Sequence, residues 1–139
     1  MEKPKIIDNT IMIPSSQDFL PDVDVFLEGV LRGLGVDEST IADIAISVSE
    51  LVNNAIFHGN KTTREKTITV EINKVNGSVK IAVTDEGGGF DLDEVENPID
   101  DNNLLKEVGR GLFIVKSLMD SVVKDTTGTG TTVVITKDI

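Results

Sequence analysis

Glu50, Asn54 and His58 stand four residues apart within ELVNNAIFHGN (50–60), so on a helix they share one stripe, which Ser47 and Asp43 extend. A carboxylate in such a row can take a proton from a hydroxyl or a water. One turn away, a carboxamide oxygen can ligate Mg²⁺, which prefers oxygen donors and keeps several waters. The plainer reading of the same stripe is a solvated polar face. His58 taken alone suits a helix C-terminus, where its charge meets the dipole.

Three glycine-rich blocks follow: DEGGGF at 85–90, GRGL at 109–112 and GTGTT at 128–132. Gly87, Gly88 and Gly89 in succession lose more backbone entropy than a simple loop requires, which suits a backbone that approaches a flat ligand closely. Asp85, at the end of a strand, can accept a hydrogen bond from an exocyclic amine such as adenine N6. Gly109 and Gly111 are read at the start of a helix running through Leu112, where free N–H groups and the dipole favour phosphate, with Arg110 between them as a charged contact. Each block also has an ordinary explanation: a flexible Asx turn, glycine N-capping, a turn before a strand. No segment reads GxxxxGK[ST], so a P-loop is excluded.

The elements that must carry these residues follow from periodicity. Residues 6–13 read as an initial strand closed by Pro14. Ser15 or Ser16 caps a helix over about 17–34, with Phe19, Val23, Phe26, Leu27, Val30, Leu31 and Leu34 as its apolar stripe. Asp37 or Ser39 caps a second helix to about His58, whose apolar positions run from Ile41 to Ile56 with a 3.6-residue period. Residues 67–73 and 78–84 alternate as strands around Asn76-Gly77, a hairpin signal. A weakly apolar loop covers about 91–108, a third helix starts near Gly111, and 131–137 form the last strand. The order β-α-α-β-β-loop-α-β predicts an α/β (α+β) two-layer sandwich, with a mixed, mainly antiparallel sheet and helices on one face.

Composition narrows the class. The 139 residues suit one domain over 1–139. Cysteine is absent and His58 is the single histidine, which excludes disulfides, thiol–zinc centres and histidine-rich metal sites. Apolar runs fall short of the ~20 residues that span a bilayer and there is no signal-peptide pattern, so a cytoplasmic protein without membrane contact is expected. Thirteen Lys and Arg against 24 Asp and Glu give a charge of −11, which argues against nucleic acid. An acidic chain can still hold a polyanion when a divalent cation screens the phosphates and backbone N–H groups do most of the holding.

In this order and spacing, ELVNNAIFHGN, DEGGGFD, LLKEVGRGLFIVKSLMD and GTGTT resemble the N, G1 and G2 boxes of the gyrase, Hsp90, histidine-kinase and MutL ATPases. Over about 10–137 the chain is similar to the anti-sigma factor serine/threonine kinases within that superfamily. The resemblance implies the Bergerat ATP-binding fold, with ATP and Mg²⁺ as cofactors. It makes Glu50 the base that activates the attacking hydroxyl and Asn54 the Mg²⁺ ligand. Asp85 becomes the adenine contact, with Thr131 nearby through water, and Gly87 and Gly89 allow close packing on the nucleotide. It assigns an ATP lid to about 91–108, with Gly109, Arg110, Gly111 and Leu112 at its hinge and phosphate end. It implies phosphorylation of an anti-sigma factor antagonist on serine, inhibition of a sigma factor, and a homodimer. The alternative is a catalytically weak ATP- or ADP-binding module that controls a partner protein. A histidine-kinase core fits less well, because no dimerisation helices with a phosphoacceptor histidine precede the block, and a gyrase- or MutL-type ATPase would need a transducer domain.

Overall fold

The computed structural model describes residues 2–60, 65–87, 103–125 and 130–139, and only the backbone of 103–108. Its strands are β1 (Lys5–Ile7), β2 (Thr10–Pro14), β3 (Thr67–Val75), β4 (Ser78–Asp85), β5 (Ser121–Asp125) and β6 (Thr131–Asp138). The α-helices are α1 (Leu20–Gly33), α2 (Glu38–Asn54) and α3 (Asn103–Leu118). One six-stranded sheet has the order β1-β2-β3-β4-β6-β5, and every pairing in it is antiparallel.

Period-two alternation decides which face of this sheet is covered. Ile11, Val70, Val83 and Val133 lie in register across four strands, as do Ile72, Ile81, Ile135 and Val122. All but the edge residue Val122 are buried. Against these rows pack Val23, Leu27 and Leu31 of α1, Ile41, Ile44, Val48 and Val52 of α2, and Val115 of α3. The layer architecture is the expected sheet with helices on one face.

Local signals place the helix ends. Ser16 accepts a hydrogen bond from the Asp18 N–H at 3.2 Å and opens a short 3₁₀ turn ahead of α1. Asp37 accepts from the Thr40 N–H at 3.2 Å and caps α2. Gly35, at φ 81°, occupies the left-handed region that ends α1 economically for a residue without Cβ.

Three elements differ from the sequence reading. The initial strand is a hairpin, because Asp8 takes a φ of 52° and turns the chain between β1 and β2. Aspartate tolerates that conformation, and the Asp8-Asn9 pair is the turn signal. The edge strand β5, SVVKD, pairs with β6 where no strand was expected. The third helix begins at Asn103 instead of near Gly111, so 103–108, expected as lid, are helical. Leu104, Leu105, Lys106 and Glu107 are strong helix formers, and they carry the helix through both glycines.

The second helix continues past Asn54 as a π-helical turn, Ala55–Gly59. The continuous segment Glu38–Gly59 has 22 residues and a mean hydropathy of 1.2, enough by length and composition to cross a bilayer. Its buried positions face the sheet and the neighbouring helices, so its apolarity is that of a core helix.

Candidate functional site

The same alternation that buries Val79, Ile81 and Val83 puts Asp85 on the inner face, at the end of β4. In register beside it on β6 is Thr131, which continues the inner row of Val133 and Ile135. The apolar rows therefore end in a buried polar pair: Asp85 is 6% exposed and Thr131 2%. One layer out, the Thr84 and Thr132 hydroxyls bond to each other at 2.9 Å.

The Asp85 carboxylate is held from several sides. The Gly87 N–H donates to Oδ1 at 2.9 Å, closing an Asx turn. Burial pushes this carboxyl above the ordinary aspartate range, opposed by the Gly87 and Thr131 N–H donors and by the charges of Lys66 and Lys124. Three glycines pack tightly around this corner. A Cβ on Gly59 would collide with the Asp85 carboxylate, one on Gly87 with the Gly59 carbonyl, and one on Gly130 with the Asp85 carbonyl. Thr131 Oγ1 is buried with no hydrogen-bond partner, so its hydroxyl stays available to a ligand or a water beside Asp85.

On α2, Glu50 is half-buried and Asn54 only 7% exposed, and Ser47, fully buried, donates to the Asp43 carbonyl at 3.0 Å. A solvated polar face is thereby ruled out for Asn54 and Ser47. The α3 helix covers the stripe at Gly111, where a Cβ would lie 2.7 Å from Glu50 Oε2 and 3.7 Å from Asn54 Nδ2. Glu50, Asn54 and Gly111 thus meet at one point, and Leu112 beside them is buried in the core. The Asn54 carboxamide keeps a buried nitrogen without a partner. Oxygen and nitrogen of an amide exchange by a simple flip, so this group can present oxygen to a cation.

That donor set fits Mg²⁺ brought in with a nucleotide. No group of three or more His, Cys, Asp or Glu side chains able to hold a metal occurs among the described residues. One carboxamide oxygen beside a carboxylate is what an ion needs when phosphates and water supply its remaining ligands.

The helix N-terminus expected at the GRG block is not where the structure has it. Gly109, Arg110 and Gly111 lie within α3, where backbone N–H groups point into the preceding turn and not toward a ligand. Arg110 is exposed. Gly89 and the lid residues 91–102 lie outside the described residues. The sequence reading missed Gly59 and Gly130 as packing positions, giving Gly130 only a place in the turn before the last strand, and it missed Asn60, which is fully buried. The signal for Asn60 was a Gly-Asn pair following directly on a helical polar stripe.

Comparison with known proteins places the fold and the family. A family model described as a histidine kinase-like ATPase domain matches residues 13–137. The serine-protein kinase RsbW of Listeria innocua is 30% identical over 136 residues, covering 94% of this chain and 86% of the relative. RsbW of Staphylococcus aureus is 32% identical over 117 residues, covering 79% and 74%. Among solved structures, the RsbU and RsbW domains of Rv1364c from Mycobacterium tuberculosis superpose with a TM-score of 0.68 at 24% identity, over 99% of this chain and 32% of that larger one. The catalytic domain of histidine kinase ThkA gives 0.57 at 15%, over 91% and 94%. The chain belongs to the histidine kinase-like ATPase family, in the branch that contains the RsbW kinases.

The packing and charge around Asp85 give two predictions, with Gly29→Ala as a control. Gly87→Ala forces a methyl group into the Gly59 backbone and is expected to lower stability by about 1–3 kcal/mol in chemical denaturation. Gly29→Ala, in α1 with open space around it, is expected to leave stability unchanged or raise it slightly. Asp85→Asn removes a buried charge whose pKa is raised in the folded state. Ionised Asp85 opposes folding above that pKa, and the penalty is relieved as pH falls through it toward the unfolded value. The Asn variant should therefore melt at a higher temperature than wild type at pH 7, with the gap closing as the pH is lowered.

Proposed function

We propose that this chain is an ATP-dependent protein-serine kinase and anti-sigma factor, formed by one ATPase domain over 1–139. It phosphorylates a serine of a small anti-sigma factor antagonist and, in its other state, binds and inhibits a sigma factor. The observation that carries this reading is the convergence of Glu50 and Asn54 under α3 on the same helical segment whose end, Gly59, packs on Asp85. The names of its RsbW relatives support the choice of serine as acceptor.

In this reading Asp85 accepts a hydrogen bond from the adenine amine, with the Thr131 hydroxyl bonding through water, and Gly87 and Gly89 let the backbone lie close to the base. Asn54 would hold Mg²⁺, which when bound neutralises phosphate charge. Arg110, with Gly109, Gly111 and Leu112, forms the phosphate end and hinge of the lid expected at about 91–108, whose last residues, 103–108, are the first turns of α3. The α3 helix must unwind or tilt at these glycines for their N–H groups to reach a phosphate. Glu50 takes the proton of the serine hydroxyl as its oxygen attacks the γ-phosphorus. The bond to the β–γ bridging oxygen breaks, and ADP leaves with that electron pair. Such a transfer relies on positioning and charge neutralisation more than on covalent help from the protein.

The protein is further read as a cytoplasmic homodimer. The face of the sheet opposite the helices is the surface offered for self-association: Met12, Ala82 and Val134 stand there among threonines, with Glu71 opposite Ala82.

Transfer from labelled ATP to a cognate antagonist tests the assignment. Glu50→Ala should lower the transfer rate by about 10²-fold or more while leaving ATP affinity within about twofold of wild type. Full phosphorylation by Glu50→Ala would overturn the base assignment. No phosphoprotein from wild type despite measurable ATP affinity would favour a regulatory nucleotide-binding module.

A further inference from the structure

We infer that Asn60 and Glu86 are positioning residues that set the nucleotide preference of the site, by clamping the turn that orients Asp85. The inference rests on the reading of Asp85 as the contact to the adenine amine. The two residues and Thr67 form a closed ring of hydrogen bonds. The Glu86 N–H donates to Asn60 Oδ1 at 2.8 Å, and Asn60 Nδ2 donates to the Thr67 carbonyl over a longer 3.4 Å. The Thr67 N–H donates to Glu86 Oε2 at 2.7 Å, closing the ring. Only one orientation of the Asn60 amide satisfies both neighbours, because one is a donor and the other an acceptor.

The ring joins three elements at this corner: the end of the α2 segment, the start of β3 and the turn after β4. Asn60 is itself anchored, its N–H donating to the Ala55 carbonyl at 2.7 Å across the π-helical turn. That turn adds a residue to the helical repeat and so brings Gly59 and Asn60 round to the sheet, a use of π geometry common at functional sites. Glu86 is the residue between Asp85 and Gly87, and its N–H is fixed by Asn60 while the next N–H, that of Gly87, is given to Asp85 Oδ1. Holding the first fixes the second. The Gly87 N–H lies on Oδ1, and the position of Oδ2 against Gly59 is dictated by the same turn, which fixes where the carboxylate's remaining lone pairs meet an amine.

Base discrimination depends on this orientation. An adenine amine donates to the carboxylate, whereas the 6-oxo group of inosine or guanine presents an acceptor to an acceptor. A carboxylate locked in place rejects the oxo base strongly, and one free to rotate, or to take its Gly87 contact through the other oxygen, rejects it less. Neither Asn60 nor Glu86 needs to touch the nucleotide for this to hold.

The test is calorimetric titration of the full chain with ATP and with ITP, each with Mg²⁺, in wild type, Glu86→Ala, Glu86→Gln, Asn60→Ala and Asp85→Asn. Glu86 is exposed, so its variants fold even if the buried Asn60→Ala does not. Glu86→Ala and Asn60→Ala should weaken ATP binding by about tenfold and narrow the ATP-over-ITP preference by a similar factor. Glu86→Gln, which still accepts from the Thr67 N–H, should restore both. In transfer assays the alanine variants should raise KM for ATP with kcat unchanged. Glu86→Ala with wild-type affinity and preference would overturn the clamp, and so would an equal loss for ATP and ITP. Asp85→Asn separates the two layers of the argument. If it binds ATP as wild type does, the adenine assignment itself fails; if it loses ATP while Glu86→Ala does not, only the clamp fails.

Discussion

Burying one carboxylate at the end of an apolar sheet row is the constraint on which the rest of the structure depends. Asp85 lies on the face that Val79, Ile81 and Val83 share with the core, so the strand geometry that builds the core also removes the carboxylate from water. A buried carboxylate is tolerated when backbone donors reach it, and here the N–H groups of Gly87 and Thr131 do so. Gly59 leaves room for the carboxylate itself, while Gly87 and Gly130 let the backbone of Gly59 and of Asp85 pass close beside it. The raised pKa is the residual imbalance that a donor from outside, such as an amine, can relieve.

The helical layer answers to the same constraint. The α2 segment must supply Glu50 and Asn54 at one level and Gly59 and Asn60 at another, on one continuous helix. A regular α-helix would carry these four residues round by 100° per position, and the π-helical turn at Ala55–Gly59 resets the phase between the two pairs. Closure by α3 at Gly111 completes the enclosure: Asn54 is buried with an unsatisfied amide nitrogen, and Glu50 is only partly open to water. In this state α3 runs unbroken through the GRG block. Glycine inside a helix is unfavourable by about 1 kcal/mol against alanine, and at Gly111 the missing Cβ is what lets α3 lie against Glu50.

Much of this was legible in the sequence, for physical reasons that differ by element. The α2 stripe and the two central strands have long, regular apolar periods, and the Asn76-Gly77 hairpin and the Asp37 cap have specific local chemistry. The grouping of Glu50 with Asn54 followed from helical spacing, and that of Asp85 with Thr131 from family resemblance. What the sequence concealed was set by tertiary contact. The β5 strand is a short edge whose partner is β6, and nothing within SVVKD reveals that pairing. The Asp8 turn interrupts a run that reads as one strand. Gly109 and Gly111 resemble a helix start in the sequence, and they lie inside a helix because the helix formers Leu104, Leu105, Lys106 and Glu107 begin it one to two turns earlier. Asn60 shows its purpose only once the turn after β4 is folded against it.

The most direct test of the account is base selectivity in the unmodified protein. Titration of wild type with Mg²⁺ and ATP, and separately with Mg²⁺ and ITP, isolates the one contact that a buried Asp85 would make. The account predicts that ATP binds at least about tenfold more tightly, because the 6-oxo group leaves the carboxylate facing an acceptor. Equal affinity for the two nucleotides would contradict it.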